Sequence, residues 1–271
     1  MSRTLPVLFI LLGVTAGCAL AQLPFYTDDP AVTDPGKVHF EFFDEVDGLQ
    51  RPQFPNLRQN TANYKLNVGL PHGLELDVDT PYLAIYRATG TDSSTGAGDL
   101  NLGIKWEIRK QSEKSWLPAL AASLYIEFPT GDSSQQLGSG LSDYWLNLIA
   151  QKYITEKTHV NGNLGYLFAG NTSTGVVGIT STRGHVVTGG VSVLRDLNPR
   201  LTLGVELYVG VANIEDLGRD QFQVMSGGEY KIRDGFSLTF GVIVGRYAAS
   251  PRIGGQLGFS VDWPDVVKHA H

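Results

Sequence analysis

The sequence predicts an all-β fold: a transmembrane antiparallel β-barrel of about twelve strands, with short turns at one end and longer loops at the other. Three observations carry this: two-faced alternation in segment after segment, connections sorted by length, and an export leader at the start. The alternation is plain in the closing stretch. There Ile253, Leu257, Phe259, Val261 and Trp263 share one parity, and Arg252, Gln256, Ser260 and Asp262 the other. Side chains alternate across a strand with period two, so this stretch is apolar on one face and polar on the other, and it ends on an aromatic residue. Alternation alone also suits a soluble sandwich, so the other two observations decide.

The leader occupies residues 1–21. Arg3 gives a basic start, residues 5–14 are an apolar run too short to span a membrane as a helix, and Ala19-Leu20-Ala21 is a small-residue cleavage pattern. A rival cleavage pattern, Thr15-Ala16-Gly17-Cys18, would leave Cys18 lipidated. Cys18 is the only cysteine, so cleavage after Ala21 leaves no thiol for a disulfide or a metal site. Residues 22–35 hold Pro24, Pro30 and Pro35 among Asp28, Asp29 and Asp34 and read as an irregular lead-in.

Strand patterns fill residues 36–263. Val38, Phe40 and Phe42 oppose His39, Glu41 and Glu45; Tyr64, Leu66, Val68 and Leu70 oppose Asn63, Lys65 and Asn67. After the turn Pro71-His72-Gly73, Leu74, Leu76 and Val78 oppose Glu75, Asp77 and Asp79. In residues 99–110, Leu100, Leu102, Ile104, Trp106 and Ile108 oppose Asp99, Asn101, Lys105, Glu107 and Arg109. A Lys or Arg on a lipid face costs about 2–4 kcal/mol at the bilayer midplane, so only the uncharged set can meet lipid. The same pattern returns in residues 120–128, 144–151, 160–168, 201–209, 222–233 and 236–244. Residues 183–195 are ambiguous, because Val186 and Val187 favour opposite parities.

The connections alternate long and short. The long ones lie at 48–60, 88–98, 129–140, 170–182 and 212–220, and the short ones at 71–73, 111–116, 155–157, 196–199 and 234–235. A barrel inserted from the periplasm has this asymmetry, whereas a sandwich has no reason for it. Only 248–251 is a short outer loop. On the lipid parity, Tyr64, Phe128, Tyr144, Phe168 and Phe222 fall at outer ends and Trp106, Tyr230, Phe236 and Trp263 at inner ends, as two aromatic girdles require. Residues 264–271 form a polar tail where barrels usually stop on the aromatic.

Composition narrows the function. Charged residues make up 18 % and glycines number 32, which is lean in charge and fits strand faces that meet lipid. A net charge of −6 without a basic cluster argues against nucleic acid. No metalloprotease, nucleophile-elbow or phosphate-loop motif is present, and the six histidines show no ligand spacing, so neither enzyme activity, metal nor cofactor is expected.

Phe25-Tyr26-Thr27-Asp28-Asp29-Pro30 ahead of the first strand, Pro129-Thr130-Gly131-Asp132 after the fifth, and Gly138-Ser139-Gly140 with Asp143 opening the sixth resemble an outer-membrane barrel family. That family is named for the meta-cleavage pathway of phenol degradation. The resemblance implies an outer-membrane transporter, in some members linked to uptake of aromatic compounds, and transfers no catalytic residue.

The polar parity supplies the candidate site. Glu41, Lys65, Glu75, Asp77, Lys105, Glu107, Tyr125, Glu127, Tyr208 and Glu229 are expected to line the lumen, with Trp145 and Tyr153 as further inward aromatics. Opposite charges on neighbouring strands also pair and fill an interior, so each has a packing role as its alternative. Phe25, Tyr26, Asp28 and Asp29 are candidates for a short plug. The expected function is passive passage of small hydrophobic or aromatic compounds across the bacterial outer membrane. The expected partners are lipid, lipopolysaccharide, the solute and the outer-membrane assembly machinery. The alternatives are a closed structural or surface-interaction barrel, and a lipid hydrolase built on an outward His185.

Overall fold

The alternating faces fold into one continuous antiparallel sheet. The computed structural model describes residues 24–111, 116–169, 184–213 and 220–263. The expected leader with Cys18, the tail after Trp263 and the whole 170–182 connection lie outside the described residues. The described strands are β1 (Val38–Gly48), β2 (Asn56–Leu70), β3 (Leu74–Arg87), β4 (Ser94–Ala97), β5 (Leu100–Arg109), β6 (Ala119–Phe128), β7 (Asp143–Thr155), β8 (Thr158–Ala169), β9 (Gly184–Asn198), β10 (Leu201–Ala212), β11 (Gln221–Arg233), β12 (Phe236–Gly245) and β13 (Ile253–Trp263). Neighbours pair in chain order, and β1 pairs with both β2 and β13, so the sheet closes.

The closed barrel has twelve staves, because β4 and β5 are two pieces of one. Both pair with β3, but Asp79 faces Asn101 while Tyr82 faces Ala97. Gly98, Asp99 and Leu100 therefore stand opposite only Thr80 and Pro81: one residue is inserted, a β-bulge. Pro81 has no N–H to give the ladder, and its carbonyl accepts from Gly98 N at 2.9 Å.

The lipid face is the one the parity predicts. Leu102, Ile104, Trp106 and Ile108 are exposed, while Lys105 between them is 0 % exposed and turned inward. In β9, Val187, Val191 and Val193 face out, and Val186 and Leu194 face in. The ambiguity has a physical cause: the interior is apolar at those two places. Val186 packs with Leu167 and Trp145. The space over Gly204 is taken by Leu194 and Phe25 together.

The closing strand meets β1 along its whole length, with Val38 opposite Trp263. Outward rings cover this seam: Phe40 lies 6.0 Å from Trp263, and Phe42 5.5 Å from Phe259 and 5.1 Å from Tyr64. Inside the seam, His39 sits between Glu41, at 3.0 Å, and Asp262.

Bulky inward side chains are seated on glycines of the adjacent strand. The Tyr125 ring fills the place a Cβ would occupy at Gly103, Trp145 that at Gly165, and Met225 that at Gly241. A closed barrel of this size leaves limited interior space, so a large side chain on one strand requires none on its neighbour. This close approach explains part of the glycine content.

Two features differ from the sequence expectation. β2 begins at Asn56 rather than near residue 61, and β4 lies within the predicted 88–98 loop. Alternation fades there because the outward residues Arg58 and Asn60 are polar, as are the neighbours of Ser94. Toward the loop ends the outward face has left the hydrocarbon layer and no longer has to be apolar.

Candidate functional site: the barrel interior

The lead-in before β1 turns inward. Gly36 N donates to Gly69 O at 3.0 Å, and Gly69 N donates to Lys37 O at 3.1 Å, anchoring the segment at the short-turn end. Thr33 and Asp34 cross directly over Gly69, where any side chain would collide with their carbonyls. From there the chain runs from Glu75, second residue of β3, to Glu206, midway along β10. Thr33 N donates to Glu75, and Tyr26 N and Thr27 N donate to the two oxygens of Glu206.

Side chains complete the docking. Lys105 Nζ donates to Asp28 at 3.0 Å, and Tyr26 OH donates to Glu45 Oε1 at 3.0 Å. The Tyr26 ring lies 5.6 Å from that of Tyr208, and Thr27 and Tyr208 share the open space over Gly190. Asp29 Oδ1 accepts from Ala31 N at 2.7 Å and turns the segment. Burial pushes the Asp29 carboxyl up to about 6; the Lys105 ammonium pulls the other way, and the Asp28 carboxylate adds to the rise.

The long-loop end is shaped by Asp99. Its Oδ1 accepts from Gly131 N at 2.8 Å and its Oδ2 from Ser139 N at 3.0 Å, so one carboxylate clamps both ends of the 131–139 loop. Thr130 Oγ1 donates to Gly98 O and accepts from Leu100 N. Asp132 accepts from Ser134 N and Oγ, which holds its carboxyl below the usual range. A Cβ at Gly131 would strike the Leu137 carbonyl, and one at Gly138 the Asp99 carboxylate. The Pro-Thr-Gly-Asp and Gly-Ser-Gly motifs are therefore the fittings of this clamp. It lowers Leu137 into the interior against Leu83 and Ile85.

Between the lead-in and this loop lies a cavity of about 310 Å³. One ladder row crosses its wall, pairing in turn Glu41, Lys65, Asp79, Asn101, Glu127 and Asp143. The next row carries Asp77, Gly103, Tyr125, Trp145, Leu167 and Val186, passing from acid through aromatic to apolar. Tyr125 and Trp145 lie 6.3 Å apart, and Tyr125 OH donates to Asp77 at 2.7 Å.

Each sequence-predicted strand residue stands on the inward parity, but with the lead-in candidates they do not form one group. Glu41, Lys65, Tyr125 and Glu127 border the cavity, as do Phe25, Tyr26, Asp28 and Asp29. Glu75, Lys105 and Tyr208 engage or pack around the lead-in. Glu107 pairs with Lys110 at 3.4 Å at the turn-end rim. Glu229 lies inward near the turn end of β11, opposite Thr202 and Thr239. Asp79, Asp99, Asp143 and Leu137 border the cavity without having been singled out. The first three lie on or beside the polar parity and were findable; Leu137, in a loop, carried no signal.

His185 faces outward beside the Tyr166 hydroxyl, with the Phe168 ring 5.2 Å away, and Asn213 Oδ1 accepts from its backbone N–H. Its described neighbours are the Tyr166 phenol, the Phe168 ring and the Asn213 amide.

Comparison with solved structures places this architecture among outer-membrane channels and porins. The COG4313 outer membrane channel from Pseudomonas putida F1 superposes with a TM-score of 0.66 at 14 % identity, over 86 % of this chain and 97 % of that one. The NanC porin gives 0.55 at 10 % identity, over 82 % and 98 %. The KdgM porin in complex with disordered oligogalacturonate gives 0.53 at 11 %, over 83 % and 99 %. A search of curated proteins finds no match to the sequence. The closed barrel with its lipid-facing band belongs in the bacterial outer membrane. Residues 27–263, from the docked lead-in to the closing strand, match the family described as "Putative MetA-pathway of phenol degradation", and the chain belongs to that family.

Proposed function

We propose that the barrel passes small hydrophobic or aromatic compounds across the outer membrane without energy input, and that the lead-in is a plug that must shift for passage. The cavity of about 310 Å³ carries this reading, because its wall combines the Tyr125 and Trp145 rings with Leu83, Leu137 and Leu167. Ligand sites for small molecules begin at about 300 Å³ and join apolar walls to a few polar groups. The family's description points toward aromatic substrates. The plug is held by polar contacts rather than by a covalent link, so its release costs a finite free energy that a solute or a fluctuation can supply.

Liposomes carrying the purified barrel should take up small aromatic solutes faster than protein-free liposomes. A barrel that admits none of a broad aromatic panel would contradict the reading. The closed-barrel alternative draws on the same docking contacts and predicts no conductance steps in planar bilayers under any condition.

A further inference from the structure

We propose that the cavity is a binding site for a small organic cation, an ammonium carried on an aromatic or apolar body. The inference rests on the solute-passage reading and names the solute's charge. Its first ground is the imbalance around the cavity: among the described residues, eight carboxyl groups, Asp79, Asp99, Glu127 and Asp143 included, border it against one ammonium, that of Lys65. Lys65 itself lies 3.7 Å from Glu41, and Lys105 nearby is engaged by Asp28. In the ladder row, Glu127 and Asp143 are direct cross-strand partners, two acids whose proximity is relieved either by a proton held on one carboxyl or by a cation beside them.

The second ground is independent of charge. The amide oxygens of Asn147 and Asn161, in side chains 5 % and 3 % exposed, have no hydrogen-bond partner, and both residues border the cavity. Glu127 Oε1 and Asp79 Oδ1 are likewise unpartnered, against one unmet donor on the same wall, the Trp145 Nε1–H, so among the described residues acceptors outnumber donors four to one. An interior that leaves acceptors unmet asks for donors. An ammonium brings three donors and no acceptor, whereas a carboxylate or phenolate brings acceptors alone. A buried unmet acceptor costs about 1–3 kcal/mol, so each contact with the ammonium relieves a standing penalty.

The chemistry of the ligand body follows from the remaining wall. The tilted Tyr125 and Trp145 rings border the cavity and supply aromatic surface for a cation or a second ring, and Leu83, Leu137 and Leu167 supply apolar surface. Among the described residues no three His, Cys, Asp or Glu side chains converge as a metal site would require. Carboxylates spread around a cavity suit a diffuse organic cation better than a compact inorganic one.

The test is calorimetric titration of the purified barrel in uncharged detergent at pH 7, with benzylammonium, benzyl alcohol and benzoate as probes and protein-free micelles subtracted. The expected result is at least tenfold tighter binding of benzylammonium than of benzyl alcohol, with benzoate not bound. The pair Glu127→Gln and Asp79→Asn should bring benzylammonium down to the benzyl alcohol level. Glu127→Gln alone should weaken it severalfold, with the heat-dependent gel mobility of the folded barrel retained. Equal affinity for amine and alcohol, or amine binding untouched by both substitutions, would overturn the proposal. Binding of the amine by a barrel that shows no conductance would support the site while removing the passage reading. Conductance without amine preference would do the reverse.

Discussion

The two halves of the lumen are built from the same alternating strands and put to opposite use. Toward the short turns, the chain fills its own interior: Glu206 receives two backbone N–H groups, Glu75 a third, and Lys105 is paired to Asp28. Toward the long loops, Asp99 and Leu137 form a rim around a cavity whose wall keeps unmet oxygens. The difference teaches where to look for function. Polar groups that find partners within the chain specify its closed state. Unmet acceptors also remain in the filled half, at Asn67 and Asp77, so an unmet group marks where a solute can be held only where it borders the cavity, as at Asn147 and Glu127.

Substitutions that treat the halves alike would break this comparison, and the largest effect is expected in the filled half. Lys105→Ala leaves Asp28 and Glu75 buried without their cation and should destabilise the docked state by about 3–5 kcal/mol. Larger conductance steps and a lower temperature for the gel-mobility shift would report it. Next comes a control one residue away on the other face. Ile104→Lys puts a charge into lipid at a cost of about 2–4 kcal/mol, lowering barrel yield without enlarging the conductance.

In the open half, Asp99→Ala releases both ends of the 131–139 loop. It should cost about 1–3 kcal/mol and admit larger solutes, read as faster liposome swelling with larger sugars. Glu127→Gln, which changes a side chain already holding an unmet oxygen, should leave thermal stability unchanged. A loss as large as that from Lys105→Ala would place Glu127 in the filled half.

The smallest effect is that of pH on the lead-in. Asp29 has a docked value of about 6, raised by burial above its ordinary 3.8. The docked segment therefore prefers the neutral acid. Its docking is strongest below the ordinary value, weakens as pH climbs from about 4 to about 6, and changes no further above that. Open time in planar bilayers should be longer at pH 7 than at pH 4.5. Asp29→Asn should remove the Asp29 part of that dependence.

Much of this was legible in the sequence, because a lipid-facing strand has one binding rule. No charge is tolerated on the outward parity, so Ile104 and Lys105 declared their faces at sight. The rule weakens where lipid ends, which is why the start of β2 at Asn56 and the whole of β4 were not readable. It also fails where the interior is apolar, as at Val186 and Leu194. The lead-in's contacts join residues as far apart as Thr27 and Glu206, and no local pattern encodes such a pairing. The 131–139 loop showed its glycines and its aspartate but not the Asp99 carboxylate they close upon, nor that Leu137 would point inward.

The most direct test of the account is single-channel conductance of the intact barrel beside a variant whose lead-in has lost its side-chain anchors to Glu45 and Lys105, Tyr26→Phe with Asp28→Ala. The account predicts small or infrequent steps for the intact barrel and larger, longer ones for the variant at equal insertion. Identical conductance in the two, whether open or silent, would contradict a lumen closed from within by its own N-terminal segment.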